Sequence, residues 1–358
     1  MSEVAALEKY ACPACGADAQ WNPTRQALVC PYCGTESPAE LSADGRTITE
    51  HDLATALRNV PADKRGWEAD RVAVQCQSCK AISLFNPQRV AQRCEFCGSP
   101  SIVPYTQTRA PIVPESLLPF AVAESKVREQ VRRWYQSRWF APNRLKSAAL
   151  TDTVHGLYIP YWTFDAQVHA TWTAEAGYYY YETVQRGGKS ERVRRTRWQS
   201  ASGSLSHFFD DELVPATKGV DMTLLRKIEP FPTDSLVPYE PGYVSGWVVE
   251  QYQIDLVAAA EHARQTMDGK LEAMCAAQVP GDTQRNLQVN SNYSGQTFKH
   301  VLVPLWLLSY NYGSRAFQVL INGVTGQIAG KQPWSWVKIM FAILCALIVL
   351  MIFAWLQD

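Results

Sequence analysis

Cys12-Pro13-Ala14-Cys15 with Cys30-Pro31-Tyr32-Cys33, and Cys76-Gln77-Ser78-Cys79 with Cys94-Glu95-Phe96-Cys97, decide the reading of the N-terminal part. In each set 14 residues separate the inner cysteines, a spacing that suits two metal-binding knuckles joined by a short β-excursion. A C-x-x-C turn aims both sulfurs at one ion. Gly16, Gly34 and Gly98 follow the second cysteine and relax the backbone there; Lys80 departs from that rule. Four thiolates complete a tetrahedral shell and leave no open position for water. Two structural Zn2+ ions are therefore expected, held by Cys12, Cys15, Cys30 and Cys33 and by Cys76, Cys79, Cys94 and Cys97. A rubredoxin-like iron site and redox cysteines are the competing readings, although thioredoxin-like chemistry uses one C-x-x-C on a βαβ unit.

The two sets form a repeat offset by 64 residues. Trp21-Asn22-Pro23-Thr24-Arg25 matches Phe85-Asn86-Pro87-Gln88-Arg89 at the same offset. The aromatic is expected over the knuckles, with Asn-Pro turning the hairpin. A ribbon this small cannot bury enough apolar area alone. Metal binding, worth about 10–16 kcal/mol in zinc-finger peptides, supplies the stability. Cys275 and Cys345 stand apart among apolar neighbours and read as core and lipid-facing residues.

At the other end, Ile339 to Leu356 is an unbroken apolar run of 18 residues. At about 1.5 Å per residue it nearly spans a hydrocarbon layer of about 30 Å. Trp334, Trp336 and Trp355 would sit at the interfaces, and Lys331 and Lys338 flank the N-terminal side. No secretory signal opens the chain, since Glu3, Glu8 and Lys9 interrupt its first apolar residues. The expectation is a single-pass inner-membrane protein with its bulk in the cytoplasm and the lipid bilayer as a partner.

Composition narrows the function classes. The 358 residues carry 34 Lys+Arg and 34 Asp+Glu, so no global basic field exists to hold a polyanion. With 47% hydrophobic residues the chain can bury a sizeable core.

Between the ends, residues 48–60 read as a short helix with Thr49 as N-cap and Asp52 at the third helical position. The stretch 104–119 is Pro-rich and reads as a linker. Ala121 to Arg138 shows helical periodicity, with Val127, Val131, Trp134 and Tyr135 on one face. Residues 150–205 look β-rich, with Gly187-Gly188 as a hairpin turn. Leu256 to Ala277 reads as helix, and Gln296 to Ile328 returns to strands with tight turns at Asn322-Gly323 and Thr325-Gly326. Tyr158-Ile159-Pro160-Tyr161-Trp162 echoes Leu302-Val303-Pro304-Leu305-Trp306, 144 residues on.

The fold class is therefore multidomain: two N-terminal zinc ribbons, a central α+β domain rich in antiparallel strands, and one C-terminal transmembrane helix. The boundaries are ribbon 1 at 10–40, a helical linker at 41–66, ribbon 2 at 67–103 and a Pro-rich linker at 104–119. The α+β domain follows at 120–332, with a duplication over 158–200 and 302–330, and the membrane helix at 336–356.

No catalytic motif is present, and no enzyme is expected. The histidines lack ligand spacing. Gly188-Lys189-Ser190 lacks the first glycine of a phosphate-binding loop. Asp210, Asp211 and Glu212 suit a cation or proton transfer, and more simply a solvated loop. Arg186, Lys189, Arg192, Arg194, Arg195 and Arg197 form the densest basic stretch. It suits lipid headgroups, nucleic acid or an acidic partner, or is merely an exposed hairpin.

Paired ribbons come first, then Pro160-Tyr161-Trp162, Phe209-Asp210-Asp211, Leu236-Val237-Pro238-Tyr239, Gly246 to Tyr252, Val303-Pro304-Leu305-Trp306 and Asn322-Gly323-Val324-Thr325-Gly326. In that order they resemble the bacterial membrane-anchored TFIIB-type zinc-ribbon proteins, often labelled primosomal-protein-N′-like. The resemblance covers nearly the whole chain and carries the ribbon cysteines onto all eight positions. It implies an adaptor that binds phage-shock-protein-A-like or SPFH/flotillin-like proteins, and it supplies no catalytic residues. The expected function is a membrane-tethered adaptor, with a nucleic-acid-binding ribbon protein lacking its own ATPase as the alternative.

Overall fold

The computed structural model describes residues 10–37, 47–58, 72–85, 93–105, 112–142, 154–186, 189–312 and 315–355. Its elements begin with β1 (Gln20–Asn22), β2 (Ala27–Val29), β3 (His51–Asp52), α1 (Leu53–Arg58), β4 (Val72–Cys76), β5 (Ile82–Phe85) and β6 (Ile102–Pro104). Next come β7 (Ser116–Leu117), α2 (Glu124–Gln136), β8 (Val154–Arg186), β9 (Lys189–Pro215), α3 (Met222–Ile228), β10 (Val237–Pro238) and β11 (Val248–Glu250). The chain closes with α4 (Leu256–Gln278), β12 (Thr283–Tyr312), β13 (Arg315–Asn322), β14 (Ile328–Gly330) and α5 (Trp336–Trp355).

Two continuous apolar runs organise the molecule. Tyr158–Trp162 of β8 and Leu302–Trp306 of β12 are buried throughout, as strands covered on both faces must be. They pair antiparallel, with Ile159 opposite Val303. The sheet continues outward in the order β10-β7-β12-β8-β11-β5-β4-β6.

This arrangement has a two-fold relationship built into it. Strand β11 runs parallel to β8 with Val249 beside Tyr158, and β7 runs parallel to β12 with Leu117 beside Leu302. The Pro160 carbonyl accepts from Ala216 N–H at 2.9 Å, and the Pro304 carbonyl accepts from Gly323 N–H at 2.9 Å. Trp162 Nε1 donates to the Ile254 carbonyl at 2.9 Å, and Trp306 Nε1 to the Val122 carbonyl at 3.0 Å. Tyr252 meets Trp162 at 5.2 Å between centroids, and Phe120 meets Trp306 at 5.1 Å. Each half is thus a short strand, a helix, a long strand and a returning strand.

The helices bury the faces their periodicity marks. On α2, Val127, Val131 and Tyr135 are buried. On α4, Leu256, Ala259, Ala263, Met267, Leu271 and Cys275 are buried, so Cys275 is a core residue. The Asp255 carboxylate caps α4 by accepting from Ala258 N–H at 2.9 Å.

Three expectations meet a different outcome. Residues 51–52 pair with β12 as strand β3, so the helix is only α1 and Asp52 is its cap, accepting from Thr55 N–H at 2.7 Å. Part of the stretch 104–119 is sheet, since Ser116 and Leu117 form β7. The third concerns the membrane. Among the described residues, no helix is long and apolar enough to cross a bilayer, which overturns the expected single-pass inner-membrane location. Lys338, read as a flanking charge, instead donates to the Trp139 and Ala141 carbonyls at 3.0 and 2.8 Å. It holds the start of α5 against the body, and Cys345 is exposed further along that helix.

Candidate metal centres and their setting

Each knuckle is built by the same local geometry. The N–H of Gly16, Gly34, Lys80 and Gly98 donates to the carbonyl of the first cysteine of its pair, at 2.8, 3.0, 2.9 and 2.8 Å. That turn requires a left-handed residue, and these four have φ of 72°, 72°, 66° and 69°. Three are glycine, which adopts this region without strain; Lys80 adopts it as a lysine.

The turns bring the eight cysteines into two clusters of four, each able to hold a metal ion. In the first, Cys12–Cys33, Cys15–Cys30 and Cys15–Cys33 sulfurs lie 3.4, 3.5 and 3.7 Å apart. In the second, Cys76–Cys97 and Cys79–Cys94 lie 3.6 and 3.5 Å apart. Thiolates about 2.3 Å from a tetrahedral ion sit about 3.8 Å from one another, so both cages fit such an ion with slight expansion. Within each cluster the thiols shift in opposite directions, with Cys15, Cys79 and Cys97 raised. The Thr35 hydroxyl lowers the Cys33 thiol to about 6, and the Cys79 thiol lowers Cys94 to about 5.

The two clusters differ in setting. Strands β4, β5 and β6 of the second are part of the main sheet, because β5 pairs antiparallel with β11. Its knuckle Cys94–Cys97 is docked as well. Phe96 is fully buried against Gly219, and its carbonyl accepts from the Ser309 hydroxyl and, at 3.2 Å, from Gln318 Nε2. The first cluster touches the body through its hairpin. Trp21 does not cover its own knuckles; it is buried in the body, donating to the Phe120 carbonyl at 3.2 Å and packing on Tyr243 at 4.8 Å. Asn22 turns that hairpin as expected, its side chain accepting from Thr24 N–H at 2.9 Å. The knuckle tips Pro13-Ala14 and Pro31-Tyr32 face outward, with Tyr32 84% exposed. The matching Asn86–Arg89 segment lies outside the described residues.

Beside the second cluster sits a group with no sequence signal. Glu250 is fully buried on β11, and burial pushes its carboxyl up to about 8 despite a 2.7 Å hydrogen bond from Gln253 Nε2. His300 is likewise a core residue, lowered to about 4 by burial and packed on Trp162 at 4.8 Å.

The acidic group Asp210, Asp211 and Glu212 is not a solvated loop. It lies on β9, where Asp211 N–H donates to buried Asp165 at 2.7 Å. Lys299 Nζ lies 2.8 Å from the Asp211 carboxylate, and Lys270 Nζ 2.5 Å from Glu212. Burial opposes the Lys299 charge, but its carboxylate partners still raise its pKa. Lys299 supplies a positive charge at this cluster, and Asp165, Asp210 and Asp211 also bring their carboxylate oxygens close enough together to hold a metal ion.

The expected basic stretch divides between two faces of the β8–β9 hairpin. Register places Arg192 opposite Thr183 and Arg194 opposite Tyr181, while Arg195 opposes Tyr180 and Arg197 opposes Tyr178. Arg192 and Arg194 share one face; Arg195 and Arg197 take the other, where Arg195 pairs with Glu182 at 2.6 Å. Arg186 pairs with Lys189 across the hairpin end, and the Gly187-Gly188 turn lies outside the described residues. Sequence reasoning missed the rings among them. Tyr179 and Tyr181 alternate along β8 on the same face as Arg192 and Arg194, a period-two signal that could have been read.

No protein-family model and no solved structure matches the chain. The chain is similar to the uncharacterized protein YdjG of Bacillus subtilis (strain 168), with 23% identity over 338 residues, spanning 91% of this chain and 90% of that protein.

Proposed function

We propose that the chain is a zinc-ribbon adaptor whose two tetrathiolate zinc ions are structural and whose first ribbon carries the partner-binding surface. One observation supports the assignment above all. The first ribbon is clamped to the body by buried Trp21, yet its knuckle tips, including Tyr32, face solvent. An aromatic held out on a rigid loop loses little entropy on binding and suits an interface anchor. The second ribbon, docked through Phe96 and β5, acts as part of the scaffold. Its metal completes a sheet rather than presenting a loop. The resemblance to membrane-associated zinc-ribbon proteins makes phage-shock-protein-A-like and SPFH-like proteins the first partners to test.

The test is affinity purification and crosslinking of the full chain against those two purified partner classes, with Tyr32→Ala beside it. Metal content measured by elemental analysis keeps ribbon integrity in view. The expected result is two metal ions per chain in both forms and partner binding abolished in the variant. Binding unchanged by Tyr32→Ala and by Cys15→Ser would refute the assignment of the first ribbon.

A further inference from the structure

Beyond Gly177, where Thr283 is the last β12 partner, β8 and β9 run on as a two-stranded ribbon. Its outer face is organised as layers of rings and guanidinium groups. Arg192 lies 4.6 Å over Tyr181, Arg194 lies 4.3 Å over Tyr179, and Arg285 lies 4.1 Å over Trp198. Tyr179 and Tyr181 are exposed, as are both ribbon arginines. Nothing in the adaptor reading uses this face.

Charge is one-sided here. The hairpin carboxylates Glu182 and Glu191 lie in register on the opposite face, and Glu182 is paired with Arg195. At the base of the ribbon, Glu175 is engaged by Arg285 and by Asn286, each at 2.7 Å, and Asp282 accepts from Tyr179 N–H at 2.7 Å. Among the described hairpin carboxylates, Arg192 and Arg194 therefore share their face with Glu175 alone, and Arg285 and Asn286 already engage it. In a chain of zero net charge this is a local anion site with π-faces at its core. The same face continues toward the body as a shallow depression lined by Thr173, Glu175, Ser200, Ser202, Asn286 and Gln288, with the Glu175 carboxylate held by Arg285 and Asn286. It offers hydroxyls and amides for hydrogen bonds.

Phosphates want guanidinium groups, and unpaired bases want flat rings or guanidinium planes on which to stack. A lipid surface would instead favour apolar side chains at the hairpin end, where Val184 is the one apolar residue among the described Val184 to Arg186 and Lys189 to Glu191. We propose that this face of the β8–β9 ribbon binds single-stranded nucleic acid. Bases stack against Tyr179, Tyr181 and Trp198, and the backbone phosphates run along Arg192 and Arg194. The strand lies across one face, so the opposite face with Arg195 takes no part.

The test is fluorescence anisotropy of a labelled oligo-dT and oligo-U of about 20 nucleotides with the full chain at about 50 mM salt. The arms are the same-length duplex and phosphatidylserine-containing vesicles. Binding is expected to weaken roughly tenfold or more in Arg192→Ala/Arg194→Ala and in Tyr179→Ala/Tyr181→Ala. The salt slope should fall by about 1.4 in the arginine pair, at about 0.7 for each phosphate left without its guanidinium. Arg192→Lys/Arg194→Lys should keep the slope yet bind more weakly, because lysine carries the charge without the flat face. Arg195→Ala should bind as the parent does. All these side chains are exposed, and circular dichroism confirms folding. Absence of an anisotropy change, tighter binding to duplex, binding only to vesicles, or equal weakening in Arg195→Ala would each overturn the proposal.

Discussion

Ile159 and Val303 stand opposite each other at the centre of the sheet, and their neighbours exchange places around them: Tyr158 faces Pro304 while Pro160 faces Leu302. Because these residues are related by the 144-residue echo, the repeat pairs with itself about a two-fold axis between Ile159 and Val303. Each copy closes with an indole donating to a backbone carbonyl of the loop before a helix.

Equivalent positions should therefore carry equivalent energies. Trp162→Phe and Trp306→Phe each leave a carbonyl without its donor, half-buried at Ile254 and buried at Val122, and a gap where the larger ring stood. Each is expected to cost about 2–4 kcal/mol, the two values agreeing within about 1 kcal/mol. Urea denaturation monitored by circular dichroism measures both. A large cost at one site and none at the other would deny the energetic equivalence.

Lys80 occupies the left-handed position that glycine takes in the other three knuckles. Lys80→Gly relieves backbone strain of about 1–2 kcal/mol but returns some entropy to the unfolded chain, so a net gain of up to about 1 kcal/mol is expected. Gly98→Ala should lose about 1 kcal/mol. The denaturation midpoints of the two variants should move in opposite directions.

Metal removal should affect the two ribbons unequally. Cys94 lies in the main core and β5 pairs with β11, whereas the first ribbon's knuckles face outward. Cys94→Ser should open β11 to solvent, with loss of amide protection at Val248 to Glu250 by several kcal/mol. Cys15→Ser should leave that protection intact. Hydrogen exchange read by mass spectrometry separates these outcomes.

Glu250 makes stability depend on pH. Its carboxyl is raised in the fold from 4.5 to about 8, so the folded state favours the protonated form. The contribution is complete below about 4.5 and is lost as pH rises through about 8. Between about pH 6 and 8 the parent should lose on the order of 1 kcal/mol per unit, a slope that Glu250→Gln should flatten. Thermal melts across that range with metal bound test it; parallel profiles would contradict the assignment.

What could be read from the sequence was whatever depends on neighbours along the chain. The cysteine spacing gave both clusters because a knuckle is local. The reading of Leu256 to Ala277 as helix matches α4 almost to the residue, because helix formation is local too. The echo at Tyr158 and Leu302 was visible, but not that its copies pair with each other, since pairing is a choice among distant strands. Strands as short as β7 and β11 leave no periodic trace, and β7 is embedded among prolines. The inward turn of Trp21 and the docking of Phe96 were equally hidden, because both depend on a surface assembled from remote segments. In α5 the apolar run was read correctly as helix, and the span was inferred from its length, its tryptophans and its flanking lysines.

Strand β11 is flanked by β8 on one side and by β5 on the other, so the second ribbon is what covers its outer row of amides and carbonyls. A cell short of metal would thus leave these chains with an open β-border, able to recruit the border of another. Scarcity of the ion would then register as association between molecules, well before any single molecule had lost its centre.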